Sequence, residues 1–249
     1  MSERSFEEVC AEVVAGEKKN NGIGTLGEKT LHAVIKEYLS PDAEEQEVKI
    51  GRYFADIACG KSITEIQTRS FSKLKDKLAA FIAEGYEVTV VHPIAQVKWL
   101  CWVDEETGEV TKKRKSPKNG SIYDSYRELI SIKDVLGNEK LKIRFLMLEL
   151  TEYRLKNGWS RDGKKGSTRF DRIPERILAE VLLEDKADYV KLLPFTLPDE
   201  FTAKDLKACA KVSDRSASCG ISILLKMGII ERTGKKGRAY IYKRTEITE

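Results

Sequence analysis

The sequence predicts an α/β protein in which a mixed sheet flanked by helices is followed by a small, separate helical unit with a hairpin. Three observations lead there. Residues 26–92 alternate helical and strand periodicities in the order helix, three strands, helix, strand. Residues 93–150 continue with mixed strand and helix patterns that extend the same sheet. Residues 201–244 change character to two short helices and a basic two-stranded turn. The expected division is residues 1–172 for the sheet domain and 173–249 for the second domain.

Residues 4–15 suit a short amphipathic helix, and the Gly- and Asn-rich stretch 16–27 reads as a loop. Leu31, Val34, Ile35, Tyr38 and Leu39 recur at helical spacing, and Ser40-Pro41-Asp42 stops that helix. Strands are predicted at 46–50, 52–59 and 62–68, with turns at Gly51 and at Cys59-Gly60-Lys61. Ser70 is placed to cap a helix running to residue 84, with Leu74, Leu78, Phe81 and Ile82 as its apolar stripe and Gly85 as its stop. Residues 86–92 are a β-branched run suited to a buried strand. Further on, strands are predicted at 97–103 and 142–150, an acidic turn at 104–108 and a helix at 122–133. Residues 153–172 read as a linker or an ordered basic loop, and 174–183 as the first helix of the second domain.

Composition narrows the function classes. Hydrophobic residues make up 41% of 249, enough for a real core, and charged residues 34%, so most charges lie on the surface. The net charge of +4 is a weak pointer by itself, but its placement is uneven. The five cysteines are odd in number and lack CxxC spacing, and there are only two histidines, which supports neither a disulfide framework nor a Cys/His zinc site. The polar, acidic N-terminus is not a secretory signal, and no apolar run approaches a membrane span, so the expectation is a cytoplasmic protein with no membrane partner. The glycines of residues 22–30 lack the spacing of a phosphate-binding loop, against ATP-dependent chemistry.

Glu28 falls on the first long helix, Asp56 on the second strand, and Glu65 and Gln67 on the third. Strand side chains alternate, so Glu65 and Gln67 share a face, and Asp56 on the adjacent strand can converge with them. Three carboxylates at a sheet edge suit Mg²⁺ or Mn²⁺, hard cations that take oxygen ligands. A metal so held activates water and stabilises charge on a scissile phosphate. His32, one turn after Glu28, reads as an ordinary helix residue, and His92, which ends a strand before Pro93, is not expected at the site either.

In these pieces the chain resembles the PD-(D/E)XK nuclease superfamily: the helix Glu in TLGEKTLHAVIKEYL, the Asp in GRYFADIA, and the strand ITEIQTRS leading into a helix. The resemblance covers residues 22–92. It implies that Asp56 and Glu65 are metal ligands and that Glu28 completes the metal site or orients a water. Gln67 stands where the superfamily usually has lysine; it can hydrogen-bond the phosphate or water but brings no charge. Lys73 or Lys77 from the following helix is placed to substitute.

Basic segments recur. Residues 111–118 carry five positive charges and no negative one, and residues 154–172 include Lys164 and Lys165 among interleaved aromatics, a composition suited to a phosphate backbone. At the C-terminus, Thr202 and Ser213 or Asp214 are positioned to cap two helices, and 229–243 reads as a hairpin. The phrase LLKMGIIERTGKKGRAYIYK resembles a winged helix domain. That resemblance implies DNA contacts from Ser213, Arg215, Ser216 and Ser218 on the second helix and from Lys235, Lys236 and Arg238 on the wing. The expectation is a metal-dependent endonuclease of restriction type that cuts double-stranded DNA, as a homodimer if its site is palindromic. The alternative is a non-catalytic DNA-binding regulator with a degenerate nuclease-like domain.

Overall fold

The computed structural model describes residues 4–21, 30–158 and 168–245. It is an α/β structure with a mixed sheet between helices. Helices α1 (Phe6–Asn21) and α2 (Thr30–Leu39) come first, followed by strands β1 (Gln46–Ile50), β2 (Tyr53–Cys59) and β3 (Ser62–Ile66). Helix α3 (Lys75–Ala83) leads into β4 (Glu87–Val103), and the two-residue β5 (Arg114–Lys115) precedes the short helix α4 (Tyr126–Leu129). Strands β6 (Leu141–Leu155) and β7 (Thr168–Leu183) complete the large sheet. The chain then forms β8 (Glu200–Phe201), α5 (Ala203–Ala210), α6 (Asp214–Met227), β9 (Ile230–Lys236) and β10 (Ala239–Arg244).

The large sheet has the order β1-β2-β3-β4-β6-β7, with β5 paired to β4. Strands β1, β2 and β3 form an antiparallel meander; β3–β4 and β4–β6 are parallel, and β6–β7 is antiparallel. Positive φ at Gly51 and Gly60 lets the chain reverse between the meander strands, a conformation that costs glycine nothing sterically. Alternation along β6 divides the core. Ile143, Phe145 and Met147 face α3, α4 and the C-terminal helices, whereas Leu146 and Leu148 face α1 and α2. Leu31, Val34 and Ile35 of α2 are essentially inaccessible, each contributing about 1.5–3 kcal/mol of apolar burial.

The C-terminal unit docks on the α3 side of this sheet. Gly220 of α6 lies against the Tyr126 ring so closely that an added Cβ would come within 2.8 Å of it. The Tyr126 hydroxyl in turn donates to the Leu192 carbonyl. Among the described residues no helix is long and apolar enough to cross a membrane.

Several expected elements differ. The strands predicted at 86–92 and 97–103 are one 17-residue strand, β4, which passes through Pro93 with a register shift between Ala95 and Val97. Pro93 follows the pleat because a proline in extended conformation forfeits only one ladder donor. The helix predicted at 122–133 is broken into 3₁₀ turns on either side of α4. Residues 174–183 are strand, not helix. They continue β7 from Thr168, through the boundary expected at 172/173, and pair along β6 as far as Ile143↔Leu183. Pro174 is tolerated because β7 is an edge strand. The stretch read as a linker is strand at 153–155 and 168–172; residues 159–167, with Lys164 and Lys165, lie outside the described residues, as does Glu28.

Candidate functional site

The β2–β3 meander and the helices on its two faces bring four side chains together. Glu65 shares the strand face of buried Ile63, the α3 side, and only 2% of it is exposed. Its Oε2 receives Lys77 Nζ of α3 at 2.5 Å, and its Oε1 lies 3.4 Å from the Asp56 amide. Asp56 Oδ2 accepts the Ile66 amide at 2.7 Å and stands 3.3 Å from His32 Nε2 of α2. Asp56 Oδ1 has no hydrogen-bond donor among the described residues. The site thus sits between α2 and α3 at the sheet, with a carboxylate from each of two adjacent strands.

The two carboxyls differ in acidity. Burial, and then the charge of Asp56, push Glu65 up to about 7 although Lys77 opposes the rise. Burial also acts to raise Asp56, but the His32 hydrogen bond and charge, the Ile66 amide and the Lys77 charge together hold it below the ordinary value. One carboxyl is therefore firmly ionised at neutral pH and its neighbour is poised near neutrality, a contrast characteristic of sites that bind cations or move protons.

The predicted residues do not all meet. Gln67 follows the end of β3, and its Oε1 accepts the Arg69 amide at 3.1 Å, stabilising its own turn. Lys77, the nearest cation to Glu65, comes from α3; Lys73 is exposed in the 3₁₀ turn before α3, whose Phe71 is buried. His32, read from sequence as an ordinary helix residue, contacts Asp56. His92 is set behind the β3 turn with Nδ1 2.6 Å from the Gln67 carbonyl, and burial lowers its pKa. Among the described residues no group of three His, Cys, Asp or Glu side chains forms a metal-holding cluster. The Thr30 hydroxyl, at the start of α2, donates to Asp171 Oδ2 of β7 at 2.6 Å, a tie invisible in the sequence because 141 residues separate its ends.

Part of the basic character is directed inward. Glu152, 2% exposed, accepts Arg154 Nε at 2.6 Å and lies 3.3 Å from Arg169 Nε and 3.7 Å from Lys98 Nζ. Residues 111–118 remain on the surface for the most part, with Arg114 and Lys115 paired against Leu100 and Trp99. In the C-terminal unit Arg215, Lys235, Lys236 and Arg238 are exposed, whereas Ser216 is buried, its amide and hydroxyl engaged with Ser213 Oγ. Ser216 faces inward because it shares the apolar stripe of Ala217 and Gly220 on α6. On β9 and β10 the Arg232 guanidinium lies 3.6 Å from the centre of the Tyr240 ring, with Lys235 Nζ 4.8 Å away.

The family model described as "Domain of unknown function (DUF8091)" matches residues 29–184, from the start of α2 to the end of β7. An "Uncharacterized protein" of Treponema pallidum (strain Nichols) is 29% identical over 230 residues, covering 89% of this chain and 87% of that protein. No solved structure matches.

Proposed function

This chain belongs to the DUF8091 family, and we propose that it is a metal-dependent endonuclease of double-stranded DNA, with a PD-(D/E)XK-like sheet domain and a C-terminal winged helix. The observation that carries the proposal is the pairing of Asp56 and Glu65 on adjacent strands with Lys77 at 2.5 Å from Glu65. The order helix, three-stranded meander, helix, parallel strand around that pair adds support.

The donor set fits Mg²⁺ or Mn²⁺. Both strand ligands offer hard carboxylate oxygens, and Asp56 Oδ1 is open among the described residues. Asp56 and Glu65 would hold the ion, with Glu28 as the third carboxylate. When bound, the ion supplies Lewis acidity toward a water and a phosphoryl oxygen. Lys77 lies beside Glu65 and favours the carboxylate form that metal binding requires, and it would take the place of the superfamily's strand lysine in stabilising the attacking hydroxide or the phosphate. His32 fixes the orientation of Asp56 and adds to its acidity. The winged-helix reading rests on the order α5, α6, β9, β10 and on the exposure of Arg215, Lys235, Lys236 and Arg238, with Tyr240 presented between cations. A restriction-type enzyme of the cytoplasm, dimeric on palindromic sites, is the setting we propose.

The test is cleavage of plasmid and linear DNA with Mg²⁺ or Mn²⁺ by the native protein and by the double variant Asp56→Ala, Glu65→Ala. Metal-dependent cutting that the double variant loses supports the proposal. Duplex binding without cutting by the native protein would sink it and favour the binding-only regulator, for which Gln67 in place of lysine is the specific pointer.

A further inference from the structure

A cleft of about 380 Å³ opens at the turn that follows β3, three residues beyond Glu65. Its walls include Thr68, Arg69, Ser70, Lys98, Lys118 and Arg172, and its floor is the 92–95 segment of β4. Four cations from four separate segments thus face one concavity: the β3–α3 turn, β4, the stretch after β5, and β7. One wall is fixed by Gly120, whose amide donates to the Ala95 carbonyl at 3.0 Å. A Cβ there would come within 2.5 Å of that oxygen, so only glycine permits the loop to lie so close.

The cleft's acidic groups are already engaged. Asp124 accepts the Ser121 amide at 3.0 Å and Lys118 Nζ at 3.3 Å, and Glu128 accepts the Phe71 amide at 3.1 Å. His92, also in the lining, adds no positive charge, because burial lowers its pKa. Arg172, half-buried, reaches the Thr68 carbonyl at 3.4 Å. Its pKa is pushed down to about 10, first by burial and then by the charges of Arg169 and Arg69, against the carboxylates Glu152 and Asp171, which act to raise it.

We infer that this cleft binds a phosphate group, with Arg69, Lys98, Lys118 and Arg172 as its cationic ligands and the Thr68 and Ser70 hydroxyls as further donors. Guanidinium forks match phosphate oxygens bidentately, and the volume exceeds what a bare ion fills, leaving room for an attached sugar. The three residues from Glu65 span at most about 10 Å of extended chain. If the nuclease reading holds, on which this last step rests, the occupant is a backbone phosphate of the same strand whose neighbour reaches the carboxylates.

The probe is inorganic pyrophosphate, titrated calorimetrically into the full chain at fixed ionic strength in EDTA. Binding is expected, weakened about tenfold or more by Lys118→Glu and by Arg69→Ala and unchanged by the remote control Lys142→Glu. Lys118 is largely exposed, so Lys118→Glu keeps the test valid if Arg69→Ala misfolds, which circular dichroism reports. Absence of binding, or equal binding by both cleft variants, overturns the inference. Fluorescence anisotropy of a labelled duplex then identifies the source. Displacement by pyrophosphate assigns the cleft to the nucleic-acid backbone, and binding without displacement assigns it to a small phosphate-bearing molecule; both keep the site. With no divalent ion present, a protein that never cuts DNA can still pass, and one that cuts can still fail.

Discussion

Lys77 Nζ lies 2.5 Å from Glu65 Oε2, although the two residues are twelve apart and belong to a helix and a strand. This contact places on α3 the charge that the strand itself lacks at Gln67. On the proposed nuclease reading, Lys77→Met is therefore expected to lower metal-dependent cutting about a hundredfold or more. If Lys77 does the work of a strand lysine, adding Gln67→Lys to that variant restores part of the rate. Single-turnover cleavage checks both, and an unchanged rate in Lys77→Met would remove Lys77 from the site.

The poised Glu65 gives a pH signature. Its pKa rises from an ordinary 4.5 to about 7 on folding, so the protonated carboxyl favours the folded chain. That stabilisation is complete below the unfolded value and is lost as pH rises through about 7. The metal-free protein is expected to lose up to about 3 kcal/mol across this window, and Glu65→Gln to flatten the slope. Urea denaturation at several pH values in EDTA measures it.

On the same proposal, metal binding has the opposite dependence. Ligation requires the carboxylate, so Mn²⁺ affinity is expected to climb up to about tenfold per pH unit below 7 and to level off above it. Titration calorimetry with Mn²⁺ tests this; affinity independent of pH between 5 and 8 would exclude Glu65 as a ligand.

The C-terminal hairpin offers a separate test of duplex binding. Lys235→Ala, Lys236→Ala and Arg238→Ala are each expected to weaken duplex binding across sequences. Each also reduces the salt slope by about 1 for every phosphate that is no longer neutralised. Unchanged slopes in all three would point to a protein partner for this surface.

Gly220→Ala is expected to destabilise the protein by about 1–3 kcal/mol, because the new methyl meets the Tyr126 ring at 2.8 Å. Chemical denaturation reads the change. A gain of about 1 kcal/mol, the helix-propensity benefit, would mean that α6 stands away from Tyr126 in solution.

The elements around the candidate site are legible in the sequence because each is local. The stripe Leu74, Leu78, Phe81 marks α3, and the turns at Gly51 and Gly60 mark the meander. Glu65 and Asp56 follow from strand alternation, but Lys77 does not follow from it, since a helix flank can point to either side of a stripe. Strand β7 escapes a sequence reading because Pro174 followed by an Ala- and Leu-containing run imitates a helix start; what makes it a strand is the ladder to β6, which is non-local. The Thr30–Asp171 tie and the inward turn of Arg169 toward Glu152 depend on partners far along the chain, and Arg154 turns onto Glu152 two residues before it, so the basic composition of these segments overstates the exposed positive surface.

The pairing of β4 with β6 has a kinetic corollary. These strands align in parallel from Val88↔Leu141 to Val103↔Leu155, so the intervening chain must loop out before the first rung forms. Chains dominated by such distant pairings fold slowly, since loop closure costs entropy before any ladder compensates it. Until that rung closes, β6 offers its β4-facing edge unpaired to other molecules, and the yield of renatured protein should fall with concentration in the refolding mixture.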